Sequence, residues 1–312
     1  MQSIVLSLHD RVIGLRFPAA CAGEIRTLFG SAVPRASVPH AVIAIEAEGD
    51  DRYTIQSGSE QPLTGLSRAA MCSQLVEEAV RVAASDLSSA VALHAGSVCS
   101  NGHSILIPGA SGAGKSTLVA WLVEKGFSYM TDELAVIADT GGIAGFPRAL
   151  VLKPGADEIV GAFSRFRSAQ TLRVDANLIV YPPPELVAPA ALQTCGLIVF
   201  AAYTPGAALA INPLSAAMAA LKLMACNVNA RYLPDGGFAA IGALAQSAAA
   251  VVLRYGSFTQ LESLSDVLAK FVLDGNVGAA CIRQFLSAVS AGSVVPATSP
   301  VPRDGDSASN AT

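Results

Sequence analysis

A glycine-rich segment in the first half of the chain constrains its fold more than any other feature. Residues 109–116 read Gly-Ala-Ser-Gly-Ala-Gly-Lys-Ser, which fits the phosphate-binding pattern G-x-x-x-x-G-K-[ST] at every fixed position. Residues 104–108 before it have the composition of a short buried strand. Residues 117–123 after it carry apolar pairs at helical spacing, and Gly126 is a natural end for that helix. The sequence therefore predicts a strand, a phosphate-binding loop and a helix in succession.

The residue types of this loop explain the predicted chemistry. Glycines allow backbone N–H groups to turn inward around a phosphate, and the N-terminus of the following helix adds a partial positive charge. We expect Lys115 to reach the β- and γ-phosphates and the Ser116 hydroxyl to complete the shell of a Mg²⁺ ion. The alternative is a glycine-rich turn without a ligand. The predicted nucleotide-binding residues are Gly109, Ala110, Ser111, Gly112, Ala113, Gly114, Lys115, Ser116 and Thr117.

The bulk composition indicates a globular protein and limits the class of partner. Of the 312 residues, 52% are hydrophobic and 14% are charged, and the net charge is −4 with an isoelectric point near 5.6. An acidic chain without a basic run argues against nucleic acid as the main partner. The most apolar window, residues 238–253, contains Gln246 and Ser247 and is too short to span a bilayer. We therefore predict a buried helix that leads into a strand, and no membrane association.

The N-terminus and the cysteines favour a cytoplasmic location. Residues 1–5 do not begin a basic segment followed by a long apolar run, so we expect no secretory signal. The cysteines are widely scattered without a C-x-x-C pair, which favours isolated thiols over a zinc site or a disulfide scaffold. They are Cys21, Cys72, Cys99, Cys195, Cys226 and Cys281.

We divide the chain into three parts. Residues 1–66 show two-residue alternation of apolar and other side chains, as at 13–17, which predicts a small β-rich N-terminal domain. Residues 67–291 are predicted to form an α/β catalytic domain that opens with an amphipathic helix over 67–84. Residues 292–312 contain Ser, Pro, Ala and Asp without a pattern, and we predict a disordered tail.

The stretch before the loop predicts a β-hairpin that carries a histidine. Residues 90–98 have the composition of a strand and include His94, and residues 100–102 form a strong turn signal. The hairpin returns the chain into the strand that feeds the loop. The other histidines, His9, His40 and His103, are expected to be ordinary turn or surface residues.

An acidic pair follows the helix after the loop. Residues 127–130 predict a strand that ends at Asp132 and Glu133, and residues 134–150 predict a hairpin around a turn at 139–142. A strand, a crossover helix and the next strand are expected to be parallel and adjacent, with ligands at their carboxyl ends. Asp132 should then lie at the same edge as the loop. By periodicity alone it is a weak Walker B aspartate, because polar residues interrupt the apolar run.

The rest of the chain continues the α/β pattern. Two cations, Arg148 and Lys153, follow the hairpin closely. The later predicted elements are a loop at 182–184, a strand at 197–200, a turn at 205–206, a helix at 214–226, a strand at 251–255 and a helix at 261–273.

These features resemble the HPr serine kinase/phosphorylase superfamily, especially its shorter members, the HPr kinase-related proteins. The resemblance covers roughly residues 90–230 and rests on features that follow one another in the family's order. They are His94 in a Leu-His-Ala-Gly segment, the loop at 109–116, Asp132-Glu133 six residues after Gly126, Pro147-Arg148 with Lys153, the segment 198–206, and residues 213–215.

The resemblance implies a phosphate-loop core like the C-terminal domain of HPr kinase and like PEP carboxykinase. It also implies that Asp132 accepts the proton of a seryl hydroxyl as this hydroxyl attacks the γ-phosphate of ATP. Glu133 matches the second acid of the family's pair, and His94 matches a histidine near the transferred phosphate. With Lys115 and Arg148 these are the expected catalytic residues, and Ser116, Asp132 and Glu133 are the expected Mg²⁺ ligands.

The chain also departs from the family. It lacks the Leu-Glu-x-Arg-Gly element that supplies a metal-binding acid and accompanies phosphorolysis in the full enzymes. The resemblance therefore does not carry over HPr as the acceptor, nor the reverse reaction. In some of the shorter relatives the acceptor is a serine near the C-terminus of a lasso-peptide precursor.

Each candidate also has a simpler interpretation. Asp132 could be a Mg²⁺ partner instead of a base, and Glu133 could be a salt-bridged residue. His94 on an apolar strand could be a core histidine with satisfied hydrogen bonds, whereas Arg148 and Lys153 could be surface cations instead of a phosphate clamp.

The sequence as a whole predicts an ATP- and Mg²⁺-dependent kinase that phosphorylates a serine of a peptide or protein. The alternatives are a kinase for a small hydroxylated molecule and a nucleotide-binding regulatory protein without transfer activity. A homo-oligomer is compatible with the sequence, which names neither the acceptor nor a regulator.

Overall fold

The structure is a computed structural model that describes residues 1–30, 38–49, 51–85 and 87–264. Within these residues the protein is a mixed α/β structure whose strands form three sheets. The predicted tail at 292–312 and most of the predicted helix at 261–273 lie outside the described residues.

Strands outnumber helices and mostly follow one another in runs of two to four. The first half contains β1 (Gln2–Leu8), β2 (Arg11–Phe17), α1 (Ala22–Phe29), β3 (Ala41–Gly49), β4 (Arg52–Ser57), β5 (Leu63–Ser67), α2 (Arg68–Ser85), β6 (Val91–Ser100), β7 (His103–Pro108), α3 (Lys115–Glu124), β8 (Ser128–Thr131), β9 (Leu134–Ile137), β10 (Ile143–Gly145) and β11 (Leu150–Leu152). The second half contains α4 (Ala156–Gly161), β12 (Gln170–Val174), β13 (Asn177–Tyr181), β14 (Thr194–Tyr203), β15 (Ala210–Leu214), α5 (Ala216–Met224), α6 (Phe238–Ser247), β16 (Ala249–Tyr255) and α7 (Phe258–Leu261).

The first sheet contains β1 to β5 in sequence order, and helix α2 packs against it. Met71, Leu75 and Ala79 recur at helical spacing and are fully buried at this contact. The same core includes Phe146 and Ile179 from later in the chain, so the packing of the first sheet extends beyond the predicted N-terminal segment. The separate N-terminal domain therefore stays a prediction.

The central sheet has eight strands and positions the glycine-rich loop. Its order is β10-β9-β6-β7-β14-β16-β15, with β8 paired to β6. Strands β7, β14 and β16 are parallel neighbours, so their carboxyl ends lie at the same edge of the sheet. The predicted hairpin of β6 and β7 is confirmed.

The prediction that the strand after α3 lies next to β7 is wrong. Strand β6 occupies that position because the hairpin folds it back on β7, and β8 pairs with the far side of β6. Strands β8 and β9 both pair with β6 and are separated only by Asp132 and Glu133. The acidic pair therefore interrupts one long strand, at the level where Ala95 of β6 pairs with Pro108 at the end of β7. Asp132 still lies at the loop's edge of the sheet.

Residues 143–150 do not form one strand as predicted. Strand β10 ends at Gly145, where a side chain would come within 2.5 Å of the Met130 carbonyl oxygen. Pro147 then removes a backbone donor. The chain enters a third sheet at Leu150, and this sheet has the order β11-β13-β12.

Helix α3 packs against both the central sheet and β11 of the third sheet, and it is apolar on nearly all sides. Its residues Leu118, Val119, Trp121 and Leu122 are all buried. The predicted helix and strand over 238–253 are confirmed as α6 and β16. No helix among the described residues combines the length and apolar character needed to cross a lipid bilayer.

Candidate active site

The glycine-rich loop (residues 109–116) connects the end of β7 to the first turn of α3. Gly112 and Gly114 have φ angles of 88° and 93°, in the left-handed region that glycine adopts without strain. Gly114 is also closely covered, because a Cβ atom there would lie 2.8 Å from both Tyr203 Cβ and Tyr255 Oη. This position needs glycine for its backbone angle and for space.

The side chain of Lys115 is held at the loop and is buried, with only 6% of the residue exposed. Its Nζ donates to the Ala110 carbonyl oxygen at 3.0 Å and lies 3.0 Å from His94 Nε2. Burial lowers the pKa of Lys115, and the charges of Asp132 and Glu133 oppose this shift. The ammonium group is therefore poorly solvated and close to two carboxylates.

A chain of polar contacts continues from Lys115 through His94 and Glu133 to Arg148. His94 Nδ1 lies 2.9 Å from Glu133 Oε1, and the other oxygen of Glu133 accepts from Arg148 Nη1. Because a carboxylate only accepts, His94 Nδ1 carries a proton, which leaves Nε2 to accept from Lys115. The pairing of β6 with β9 places His94 beside Glu133.

The environment of Glu133 keeps it ionised. Burial by itself raises the pKa of Glu133, but the hydrogen bond from His94 and the charge of Arg148 outweigh burial and lower it to about 2. Both carboxylate oxygens are engaged by these partners. Glu133 is therefore well placed to orient His94 and Arg148.

Asp132, the next residue, has the opposite environment. It is 4% exposed, and its Oδ2 accepts a hydrogen bond from the backbone N–H of Val151 at 3.2 Å. Its Oδ1 is buried without a hydrogen-bond partner. Burial is the largest influence and raises the pKa of Asp132 to about 6, against the opposing effects of Arg148 and the nearby Ser116 hydroxyl.

The remaining cations also belong to the site. Arg148 is buried, with 9% exposed, and its Nε is buried without a hydrogen-bond partner. The backbone oxygen of Arg148 accepts a hydrogen bond from the Tyr129 hydroxyl, which ties the segment around Arg148 to β8. Lys153 Nζ donates to Ser111 Oγ at 3.2 Å and so lies against the loop.

The predicted site residues lie around one cavity of about 460 Å³. Those that line it are His94, Ser111, Gly112, Gly114, Lys115, Ser116, Thr117, Asp132, Glu133, Arg148 and Lys153. Gly109, Ala110 and Ala113 belong to the loop but do not line the cavity. Within the part of the chain that the structure describes, no group of three or more His, Cys, Asp and Glu side chains is arranged to hold a metal ion.

The other histidines lie away from this cavity. His40 Nδ1 accepts a hydrogen bond from the backbone N–H of Val12 at 3.1 Å, and His9 lies at the end of β1. His103 is the first residue of β7 and is half-buried, with its Nδ1 buried and without a partner. The expectation of a solvent-facing turn residue at 103 is therefore wrong.

Sequence analysis did not identify three aromatic residues that line the same cavity. Tyr203 ends β14 and Tyr255 ends β16, and the parallel register of the two strands places them side by side. Phe258 follows at the start of α7. Tyr255 ends the predicted strand at 251–255 and Tyr203 lies beyond the predicted strand at 197–200, so their proximity could be predicted only if the two strands were known to be adjacent and parallel.

Comparison with protein-family models finds no match, and comparison with curated proteins finds none either.

Proposed function

We propose that this protein is an ATP- and Mg²⁺-dependent kinase that transfers the γ-phosphate to a serine hydroxyl of a peptide or protein. The observation that carries the proposal is Asp132, which lines the same cavity as Lys115 of the glycine-rich loop and whose Oδ1 is buried without a hydrogen-bond partner. A buried carboxylate oxygen without a partner costs stability, and a proton-accepting role accounts for its retention.

In the proposed step Asp132 acts as the general base. The serine oxygen attacks the γ-phosphorus, the bond from that phosphorus to the β,γ-bridging oxygen breaks, and Asp132 takes the hydroxyl proton. ADP leaves with the electron pair of the broken bond. A carboxyl group with a pKa of about 6 is mostly ionised at neutral pH and accepts a proton more readily than an ordinary aspartate.

The polar contacts around Lys115 are suited to exchange for phosphate contacts. Its Nζ donates to the Ala110 carbonyl oxygen and contacts His94 Nε2. An anionic phosphate at the loop is a stronger partner for an ammonium group than a carbonyl oxygen. Glu133 keeps His94 and Arg148 in place during that exchange, and Arg148 supplies a second positive charge near the transferred group.

The residues present fit a Mg²⁺ ion. Ser116 and Asp132 offer hard oxygen donors, and the base role of Asp132 leaves Ser116 as the main protein ligand. A Mg²⁺ bound with ATP is usually held by one or two carboxylates and by the phosphates themselves, so a cluster of protein ligands is not required. The ion would neutralise charge on the β- and γ-phosphates. Glu133 is the weaker of the two predicted acidic ligands, since both of its oxygens are engaged.

The serine acceptor rests on the resemblance to HPr kinase-related proteins and on a single base beside the phosphate site. A serine near the C-terminus of a lasso-peptide precursor is one acceptor that this resemblance suggests. Since ATP and reduced thiols are typical of the cytoplasm, we place the protein there.

The proposal is tested with γ-labelled ATP, Mg²⁺ and a mixture of serine-containing peptides, followed by mass spectrometry of the labelled products. Label should reach serine, disappear from the same peptide carrying alanine, vanish with EDTA and return with Mg²⁺ or Mn²⁺. Labelling of small hydroxylated molecules only would favour the small-molecule kinase. Tight ATP binding without labelling of any acceptor would favour a regulatory nucleotide-binding protein and contradict the proposal.

A further inference from the structure

Three aromatic side chains form one wall of the cavity, which we call the aromatic wall: Tyr203, Tyr255 and Phe258. The rings of Tyr203 and Tyr255 are 5.4 Å apart between centroids, and those of Tyr255 and Phe258 are 5.5 Å apart. Tyr255 is fully buried, whereas Tyr203 is 38% exposed and Phe258 is half-buried. The central ring therefore supports two rings that remain partly accessible.

The aromatic wall is fixed directly to the glycine-rich loop. The backbone N–H of Tyr203 donates to the Ala113 carbonyl oxygen at 3.2 Å, and the Tyr255 hydroxyl donates to the Gly114 carbonyl oxygen at 3.4 Å. Its position relative to the loop is thus set by hydrogen bonds as well as by packing against Gly114. If the phosphates of a ligand bind at the loop, the group attached to those phosphates lies against the aromatic wall.

Charge is distributed unevenly around the cavity. The polar contacts that run from Lys115 through His94 and Glu133 to Arg148 are suited to bind a phosphate. Among the described contacts, only those through the loop connect the aromatic wall to these residues. Ala156 and Ile159 of α4 also line the cavity and are apolar. The cavity is therefore complementary to a ligand that is anionic in one part and planar and apolar in another.

We propose that the aromatic wall is the subsite for the base of a nucleotide, with Tyr203 and Phe258 as the residues that contact it. The inference rests on the proposed function, because the phosphates of the same ligand must occupy the loop. A π-face binds any base by stacking, and stacking on one aromatic side chain is worth enough to change affinity about five- to one-hundred-fold.

The test compares ADP with inorganic pyrophosphate, which carries the same two phosphates without a nucleoside. The parent protein should bind ADP more tightly than pyrophosphate by calorimetry in the presence of Mg²⁺. Phe258→Ala and Tyr203→Leu should each weaken ADP binding about five- to one-hundred-fold and change pyrophosphate binding less than about two-fold. Leucine at 203 retains a bulky side chain against Gly114, so the loop keeps its support.

Matched controls are available on the surface. Phe238→Ala and Tyr232→Leu change exposed aromatic residues that do not line the cavity, and both should leave ADP binding unchanged. Tyr203→Phe keeps the ring and should retain ADP affinity, which distinguishes stacking from a general loss of structure.

The outcomes separate this inference from the proposed function. Equal affinity of the parent for ADP and pyrophosphate, or an equal loss of both ligands in Phe258→Ala and Tyr203→Leu, would overturn the base subsite. Binding of both ligands by the parent would still support the phosphate site of the proposed function. A changed KM for the acceptor peptide with unchanged ADP affinity would assign the wall to the acceptor and would also overturn it. Failure of the parent to bind either ligand would contradict both proposals.

Discussion

Two cavities among the described residues differ more in charge than in size. The larger, about 520 Å³, is lined by Val5 and Ser7 of β1, by His9 after it, by Tyr129 and Tyr181, and by part of the segment 184–192. Its described lining contains no carboxylate, lysine or arginine. The smaller, about 460 Å³, contains two carboxylates and three cations. Tyr129 connects the two, since it lines the larger cavity and its hydroxyl donates to the carbonyl oxygen of Arg148, which lines the smaller.

The free-energy cost of burying charged side chains therefore indicates the chemistry of a cavity better than the volume of the cavity does. The larger cavity has mostly apolar walls, to which all three sheets and a proline-containing segment contribute. Burying Lys115, Asp132 and Arg148 together costs free energy that packing alone would not require. We therefore place the activity in the smaller cavity, and the predictions below test that placement.

The largest expected effect comes from removing the loop cation. Lys115→Ala should lower phosphoryl transfer by about 10³-fold or more, the scale for losing a cation that stabilises the transferring group. Its circular dichroism spectrum should match the parent's. Lys222→Ala, a change at an exposed lysine of α5, is the matched control and should transfer normally. Normal turnover by folded Lys115→Ala would contradict the placement of the activity.

A smaller loss is expected when the orienting carboxylate is neutralised. Glu133→Gln removes the charge that pairs with His94 and Arg148. Turnover should therefore fall about ten- to one-hundred-fold, as for other residues that hold the contacting side chains of a site in place. The pKa of Glu133 is lowered on folding, so its charge stabilises the native state above about pH 4.5, and this stabilisation disappears as the pH falls towards 2. Denaturant titrations should show Glu133→Gln less stable than the parent at pH 7, with a smaller difference at pH 3. Equal stability at both pH values would refute the ion-pair role.

Asp132 should respond with the opposite sign in stability. Its pKa is raised from 3.8 to about 6 on folding, so ionised Asp132 destabilises the native state above pH 6, and this penalty vanishes as the pH falls below 3.8. Asp132→Asn should therefore raise the free energy of unfolding of the nucleotide-free protein at pH 7.5 by on the order of 2 kcal/mol. The gain should be absent at pH 3.5. A variant that is less stable at pH 7.5 would show that Asp132 is a structural residue.

The smallest effect is expected at the larger cavity. Leu192→Ala removes an exposed side chain from its lining and should change transfer and ATP affinity less than two-fold. A loss of transfer comparable to that of Glu133→Gln would remove the distinction between the two cavities.

Local patterns predicted the part of the site that is built from one hairpin and one loop. The residues 100–102 turn fixes the register of β6 and β7, and that register brings His94 beside the start of the loop. The loop, α3 and the pairs of apolar residues on α3 followed from spacing alone. These contacts are short-range, so the sequence pattern contains most of what determines them.

Long-range pairing determined what sequence analysis missed. Strand β6 lies between β7 and β8 because it pairs with the edge of β7 that β8 could otherwise occupy. No local sequence pattern determines which of the two strands pairs there. The same holds for the departure of the chain into the third sheet at Leu150, which brings the Val151 N–H to Asp132. The aromatic wall required the parallel pairing of β14 with β16, so Tyr203 and Tyr255 appeared unrelated in the sequence.

The most direct test of the account is Asp132→Asn in a paired measurement of ATP affinity and phosphoryl transfer. The variant keeps the shape of the side chain and removes the proton acceptor, and general-base catalysis is worth about 10² to 10⁴ in rate. We predict that calorimetry at saturating Mg²⁺ will give an ATP affinity close to the parent's, while transfer of label to a serine peptide falls within that range. Unchanged transfer by Asp132→Asn would contradict the central claim that this buried carboxylate is the base.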